Sequence, residues 1–132
     1  MNYWMVKTEP ESYSWDDFVK KGEDVWDGVR NYQARNFLKA MHLGDQVLFY
    51  HSGKEKAVVG IAEVSREAFP DPKDEAWTAV GLSVKQALAN PVTLEKIKSE
   101  DRLSEMLMLR QSRLSVMSVT KEEFNLILTL SK

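Results

Sequence analysis

The chain has 132 residues, with 18 Lys and Arg against 20 Asp and Glu, so its net charge of −2 does not favour a blanket electrostatic grip on nucleic acid. It contains no cysteine, which excludes disulfides, thiolate zinc sites and cysteine nucleophiles. The length fits one domain, 1–132, and no apolar run approaches the ~18 residues of a membrane span, so a cytoplasmic protein with no membrane partner is expected.

The N-terminal "MNYWMVKTEP" lacks a basic region followed by an apolar core, so no secretory signal is expected. Tyr3 to Lys7 reads as a strand, broken by Pro10, which cannot donate to a ladder. Ser14, with Asp17 three residues on, caps a short helix from Trp15 to about Lys21 that Gly22 ends. "WDGVRN" then crowds an indole, an acid, a glycine, a guanidinium and an amide just ahead of the next helix. In that helix Ala34, Phe37, Leu38 and Met41 form one apolar stripe, and Asn31 is placed to cap it.

Residues 46–52, "QVLFYHS", are apolar in succession, which predicts a strand covered on both faces. "SGKEK" turns the chain into a returning strand, 57–64, where Gly60 marks a bulge or a close backbone approach. Residues 70–75 read as a loop and 76–84 as a third long strand containing Gly81. Thr93 can cap a helix carrying Leu94 and Ile97, while "DRLSEMLMLRQS" is ambiguous between a short helix and a loop. Residues 113–119 alternate like a strand, and Thr120 with Glu123 forms a capping box for a last helix packed through Phe124, Ile127 and Leu128. This order predicts an α+β fold, an antiparallel or mixed sheet curled into a barrel and flanked by helices.

His42 and His51 have no metal-ligand spacing, and no phosphate-binding glycine loop is present, so no metal and no cofactor are expected. His51 and Ser52 are neighbours on a strand and point to opposite faces, so they are poorly placed as a base–nucleophile pair. Asp16, Asp17, Glu122 and Glu123 sit in first helical turns, where they favour the helix dipole.

Trp26 supplies a flat face, a helix start supplies free N–H groups, and Asp27 and Asn31 supply polar edges. Together they could hold a planar heterocycle; alternatively Asn31 only caps, Asp27 only turns the chain and Arg30 is solvated. Arg35 and Lys39, one helical turn apart, could face phosphates, or they form an ordinary solvated face; Lys54 and Lys56 are further basic candidates nearby.

"YWMVKTEPESYS", "WDGVRNYQARNFLKAM", "GDQVLFYHS", "VGIAEV", "AFPDP" and "RLSVMSVTKEEF" occur in the order of the EVE domain, and the likeness runs from Tyr3 to about Leu130. By this resemblance the chain is identified as a member of that PUA-like family, similar in fold to YTH and ASCH modules. The resemblance implies a pseudo-barrel of five to six strands. It also implies a non-catalytic pocket that accepts a modified base flipped out of DNA or RNA. It would place Lys7, Thr8, Trp26, Asp27, Gly28, Val29, Arg30 and Asn31 at that pocket, with Gln33 and Ala34 nearby. Tyr50, His51 and Ser52 would join from the hairpin, and Arg113, Leu114 and Ser115 from the late strand. Trp26 and Asn31 are the principal expected contacts. Thr8 stands where the family usually has Ser, and the segment between Pro72 and Trp77 is short where many members carry an insertion.

With so little net positive charge, the polymer would be held by a local basic strip or with a partner protein, and a monomer is expected. Two rivals remain at this stage. One is an enzyme acting on a nucleobase or nucleoside through Asp27 or His51; the other is a protein–protein adaptor that takes a peptide at the barrel mouth.

Overall fold

The structure is a computed structural model and describes residues 1–132. In chain order it comprises β1 (Tyr3–Thr8), α1 (Trp15–Lys21), β2 (Glu23–Trp26), α2 (Tyr32–Ala40), β3 (Gln46–His51), β4 (Ala57–Asp71) and β5 (Asp74–Thr93). Then follow α3 (Leu94–Lys98), a 3-10 turn at Asp101–Leu103, α4 (Leu107–Arg110), β6 (Val116–Val119) and α5 (Lys121–Leu130).

The strands form one mixed sheet in the order β2-β5-β4-β3-β1-β6. Only β1 and β3 run parallel; every other pair is antiparallel. The expected mixed sheet flanked by helices is therefore what the chain builds, with six strands, and its ladder stays open between β2 and β6. The parallel pair sets the position of the site. Lys7 lies opposite Tyr50 and Thr8 opposite His51, so the C-terminal ends of β1 and β3 reach the same edge of the sheet. The Lys7 amide donates to the Ser115 carbonyl (2.9 Å) and the Ser52 amide to the Thr8 carbonyl (2.9 Å), which binds the flanking loops to that edge.

Side chains alternate across a strand, so β1 reports both faces. Trp4 packs edge-on against Phe37 of α2, and Val6 and Thr8 share its face. Tyr3 meets Phe124 of α5 with ring centroids 4.5 Å apart, and Met5 and Lys7 share that opposite face. Both faces are thus covered, which accounts for the unbroken burial from Val47 to His51 on β3.

On the α1 side Phe49 is the hub of an aromatic core. It stacks on Phe18 at 5.3 Å and meets Trp15 at 5.1 Å and Trp26 at 5.6 Å edge-on. Gly60 sits at a register shift between β3 and β4, and a Cβ there would run into the Trp15 ring.

The helix caps follow from local sequence. Ser14 with Asp17 and Thr120 with Glu123 form capping boxes; Asn31 and Thr93 accept from the amides of Ala34 and Lys96. Three elements depart from expectation. Residues 23–26 form β2, although Glu and Asp are weak strand formers, because β5 offers a paired edge from Val80 to Ser83. Residues 70–75 are not a loop: β4 and β5 run on to a tight turn at Pro72–Lys73, with Asp71 opposite Asp74. The late strand is also shorter than 113–119, beginning at Val116.

Candidate functional site

The "WDGVRN" segment leaves β2 at Trp26 and enters α2 at Tyr32. Gly28 holds φ at +78°, a left-handed conformation that suits glycine. Its amide donates to Asp71 Oδ2 at 2.9 Å, and Arg30 Nη1 donates to the same oxygen at 2.9 Å. The other Asp71 oxygen accepts from the Lys73 amide at 2.7 Å. The Asp71 side chain is fully buried. Burial alone would raise its pKa, but the Gly28 and Lys73 amides and the Arg30 guanidinium outweigh it and hold the carboxyl at about 2. The tip of the β4–β5 hairpin is thereby fastened to the loop that carries the candidate site.

A cavity of about 240 Å³ lies beside Trp26. Thr8, Tyr13, Asp24, Val25, Trp26 and Asp27 line it. Trp26 is 9% exposed and mostly embedded in the core, packed edge-on against Tyr13 and Phe49, so it forms a wall rather than a free platform. Thr8 Oγ1 donates to the Tyr13 carbonyl (2.9 Å), and the Tyr13 hydroxyl donates to Asp24 Oδ2 (2.6 Å). Burial, then the bond to Asp24 and its negative charge, push the Tyr13 phenol well above its usual range, so it remains a donor. Burial would raise the Asp24 carboxyl as well, but the Tyr13 hydroxyl, the Val25 amide and Lys21 hold it below the usual range. Asp27 is less committed. Its only ion-pair partner is the Lys73 ammonium, 3.7 Å away. The cavity therefore offers an indole wall, the apolar Val25 and an acceptor in Asp27 with unused capacity.

The remaining expected residues do not all converge there. Asn31 and Gln33 line a separate cavity of about 320 Å³ with Arg113 and Leu114. Asn31 Oδ1 accepts from the Ala34 amide (2.9 Å) as the cap of α2, and its side chain does not line the cavity beside Trp26. Val29, Ala34 and Leu114 belong to the core. Lys7, Tyr50, Ser52 and Lys56 line a third cavity of about 500 Å³, where Lys7 Nζ donates to the Ser112 carbonyl (3.0 Å). Lys7 and Thr8 point to opposite faces of β1, and this divides the expected site in two.

His51 is 6% exposed and both ring nitrogens have protein partners. Nε2 accepts from the Trp15 amide (2.9 Å) and Nδ1 lies 2.8 Å from Glu55 Oε2. The imidazole caps α1 and has no nitrogen left for a ligand. Arg30 is not merely solvated, since it pairs with Asp71. Arg35 does not join Lys39 in an open strip. Its guanidinium lies over the Tyr32 ring (4.9 Å) and near Trp77 (5.7 Å), and it donates to the Ala76 carbonyl (3.2 Å). Lys39 stays exposed on the last turn of α2. Sequence reasoning missed Tyr13, Asp24 and Val25, which reach the cavity because β2 forms, and Asp71, which lies 43 residues from Gly28.

The EVE domain family model matches residues 2–130. A solved protein from Rhodopseudomonas palustris is 44% identical, with a TM-score of 0.95 covering 99% of this chain and 93% of that one. The human THYN1 protein, solved in complex with DNA containing 5-methylcytosine, is 31% identical, with a TM-score of 0.94 covering 100% of this chain and 98% of that one. An ASCH protein from Zymomonas mobilis shares the fold at 15% identity, with a TM-score of 0.59 covering 98% of this chain and 95% of that one.

Proposed function

Since the chain belongs to the EVE domain family, we propose that it is a non-catalytic module that binds DNA carrying a modified base and receives that base, flipped from the stack, in the cavity beside Trp26. The observation that carries this reading is the pairing of an indole wall with an acceptor that has spare capacity, Trp26 with Asp27, around about 240 Å³. That volume is below the ~300 Å³ of the smaller drug-sized pockets, which suits a single heterocycle.

The chemistry favours a base that presents an exocyclic amino group. Carboxylates accept from cytosine N4, so Asp27 can accept that hydrogen bond while Val25 and Trp26 offer an apolar surface to a ring methyl. A complex of the human THYN1 protein with 5-methylcytosine DNA agrees with that choice of base. Asp27 rather than Asn31 is assigned the edge contact, because Asn31 caps α2 and lines another cavity. The enzyme reading loses its acid–base candidate at His51, whose nitrogens serve Trp15 and Glu55.

Binding is tested with oligonucleotides that differ only in one base modification. Trp26→Ala is a poor probe, since truncating a buried tryptophan costs about 3–5 kcal/mol of stability. Trp26→Phe keeps an aromatic wall but shrinks it, and is expected to reduce the preference for the modified base; Asp27→Asn keeps the volume and is expected to reduce the preference for cytosine over thymine while leaving the melting temperature near that of the parent. Preference unchanged in both variants would remove the cavity from the account.

A further inference from the structure

The cavity of about 500 Å³ on the opposite face of the sheet has a different chemistry. We propose that it is a phosphate-binding site, built from the ammonium groups of Lys7, Lys56 and Lys98 and the hydroxyl of Tyr50. It stands apart from the base cavity, and only one of its two candidate ligands depends on the reading of that cavity.

Three separate elements deliver the cations. Lys7 lies one residue before the end of β1, Lys98 ends α3, and Lys56 lies in the turn between β3 and β4. The turn is fixed to α3 because the Leu94 amide donates to the Lys56 carbonyl at 2.8 Å. Lys56 is also the one non-glycine residue at positive φ, +48°, so its backbone is held in a conformation that a lysine seldom adopts.

None of the three ammonium groups has a carboxylate within salt-bridge distance, and no carboxylate lines the cavity. Glu55 and Glu95 border a neighbouring cleft that shares Lys56 and Lys98, Glu9, Glu11 and Glu55 border another that shares Ser52 and Gly53, and Glu55 is engaged with His51. Lys7 is half-buried, and burial lowers its pKa. Its single protein acceptor is the Ser112 carbonyl, which leaves donors free. Like charges bordering one recess repel, and an anion among them relieves that repulsion.

Tyr50 supplies a second, independent sign of a ligand. It is 4% exposed, lines the cavity and has no hydrogen-bond partner; burial is the only influence that raises its pKa. Its hydroxyl is not sealed in the interior and opens on the cavity, where a phosphate oxygen would accept from it. Ser52 offers a further hydroxyl. Leu94, Met108 and Leu109 make the floor apolar, so the recess has room for more than the anion itself.

The phosphate could belong to the backbone of bound DNA or to a free phosphate compound, and one set of variants separates the two. Inorganic phosphate titrated into the intact, isotope-labelled protein is expected to shift the amides of Ser52, Lys98 and Ser112 and to leave those of Trp26 and Asp27 in place. Lys56→Ala with Lys98→Ala, both at exposed positions, should weaken that binding by about tenfold, as charged hydrogen bonds are lost. Lys56→Arg with Lys98→Arg should largely restore it.

If DNA is the source, the double alanine variant weakens methylated and unmethylated duplexes equally. The slope of log affinity against log salt also falls by about two. This differs from failure of the base cavity, which would alter preference and not salt dependence. If a small phosphate compound is the source, DNA affinity is unchanged while phosphate binding is lost. The proposal is overturned if the double alanine variant matches the parent for inorganic phosphate and for DNA alike.

Discussion

Replacing Asp71 with Asn should unfasten the loop that carries Trp26 and Asp27. The substitution keeps shape and volume but removes the charge that meets Arg30 and the Gly28 and Lys73 amides. In the folded chain the carboxyl is held at about 2, against an ordinary aspartate value near 3.9 in an unfolded chain. A difference of about two pH units corresponds to roughly 2.5 kcal/mol at neutral pH. Because the folded value is the lower one, this stabilisation is complete above about pH 4 and is lost as the pH falls towards 2. Asp71→Asn should therefore lower stability by roughly 2–3 kcal/mol at pH 7, about 7–11 °C in melting temperature. The gap to the parent should close between pH 4 and 2. Urea unfolding across that range reads both quantities. Equal stability at pH 7, or a gap that persists undiminished to pH 2, would refute the argument.

Two glycines should fail for different reasons. Gly28→Ala meets open space but forces a side chain onto φ +78°, at a cost of about 1–2 kcal/mol in urea unfolding. Gly60→Ala pushes a methyl into Trp15; its penalty of about 1–3 kcal/mol should shrink in a Trp15→Leu background, as a double-mutant cycle would show. Asp27→Asn should cost about 1–3 kcal/mol of discrimination for cytosine over thymine, measured by competition between oligonucleotides.

Contacts made within four residues were legible in the sequence. Ser14, Asn31, Thr93 and Thr120 cap helices through amides three residues ahead, and each was readable from type and spacing. Gly60 was readable as a bulge or a close approach, and it sits at a register shift with the Trp15 ring against it. Pairing partners were not legible. β2 exists through its ladder with β5, and four residues containing Glu and Asp carry no strand signal. From Lys85 to Pro91, β5 is largely exposed, so its length follows from pairing with β4 at Gln86–Ala87 and again at Val92–Thr93 and not from an apolar pattern. Asp71 looked like part of a loop in "PDPKDE", and its role appears only when a hairpin tip meets a loop 43 residues away.

The site was half legible for the same reason. Trp26 and Asp27 border one cavity as the motif implied, but the motif could not show that Asn31 faces another. Nor could it show that Arg35 folds back on Tyr32 and Trp77. Adjacent residues on β1 were grouped together because they are neighbours in sequence, yet alternation sends Lys7 and Thr8 to opposite faces.

Intermolecular NOEs from the ring methyl of 5-methylcytosine, in a duplex bound to the intact chain, test the base cavity most directly. The account predicts cross-peaks from that methyl to the side chains of Val25 and Trp26, with the base withdrawn from its pair. A methyl that stays in a paired duplex, or that touches Tyr32 and Trp77 instead, would contradict it.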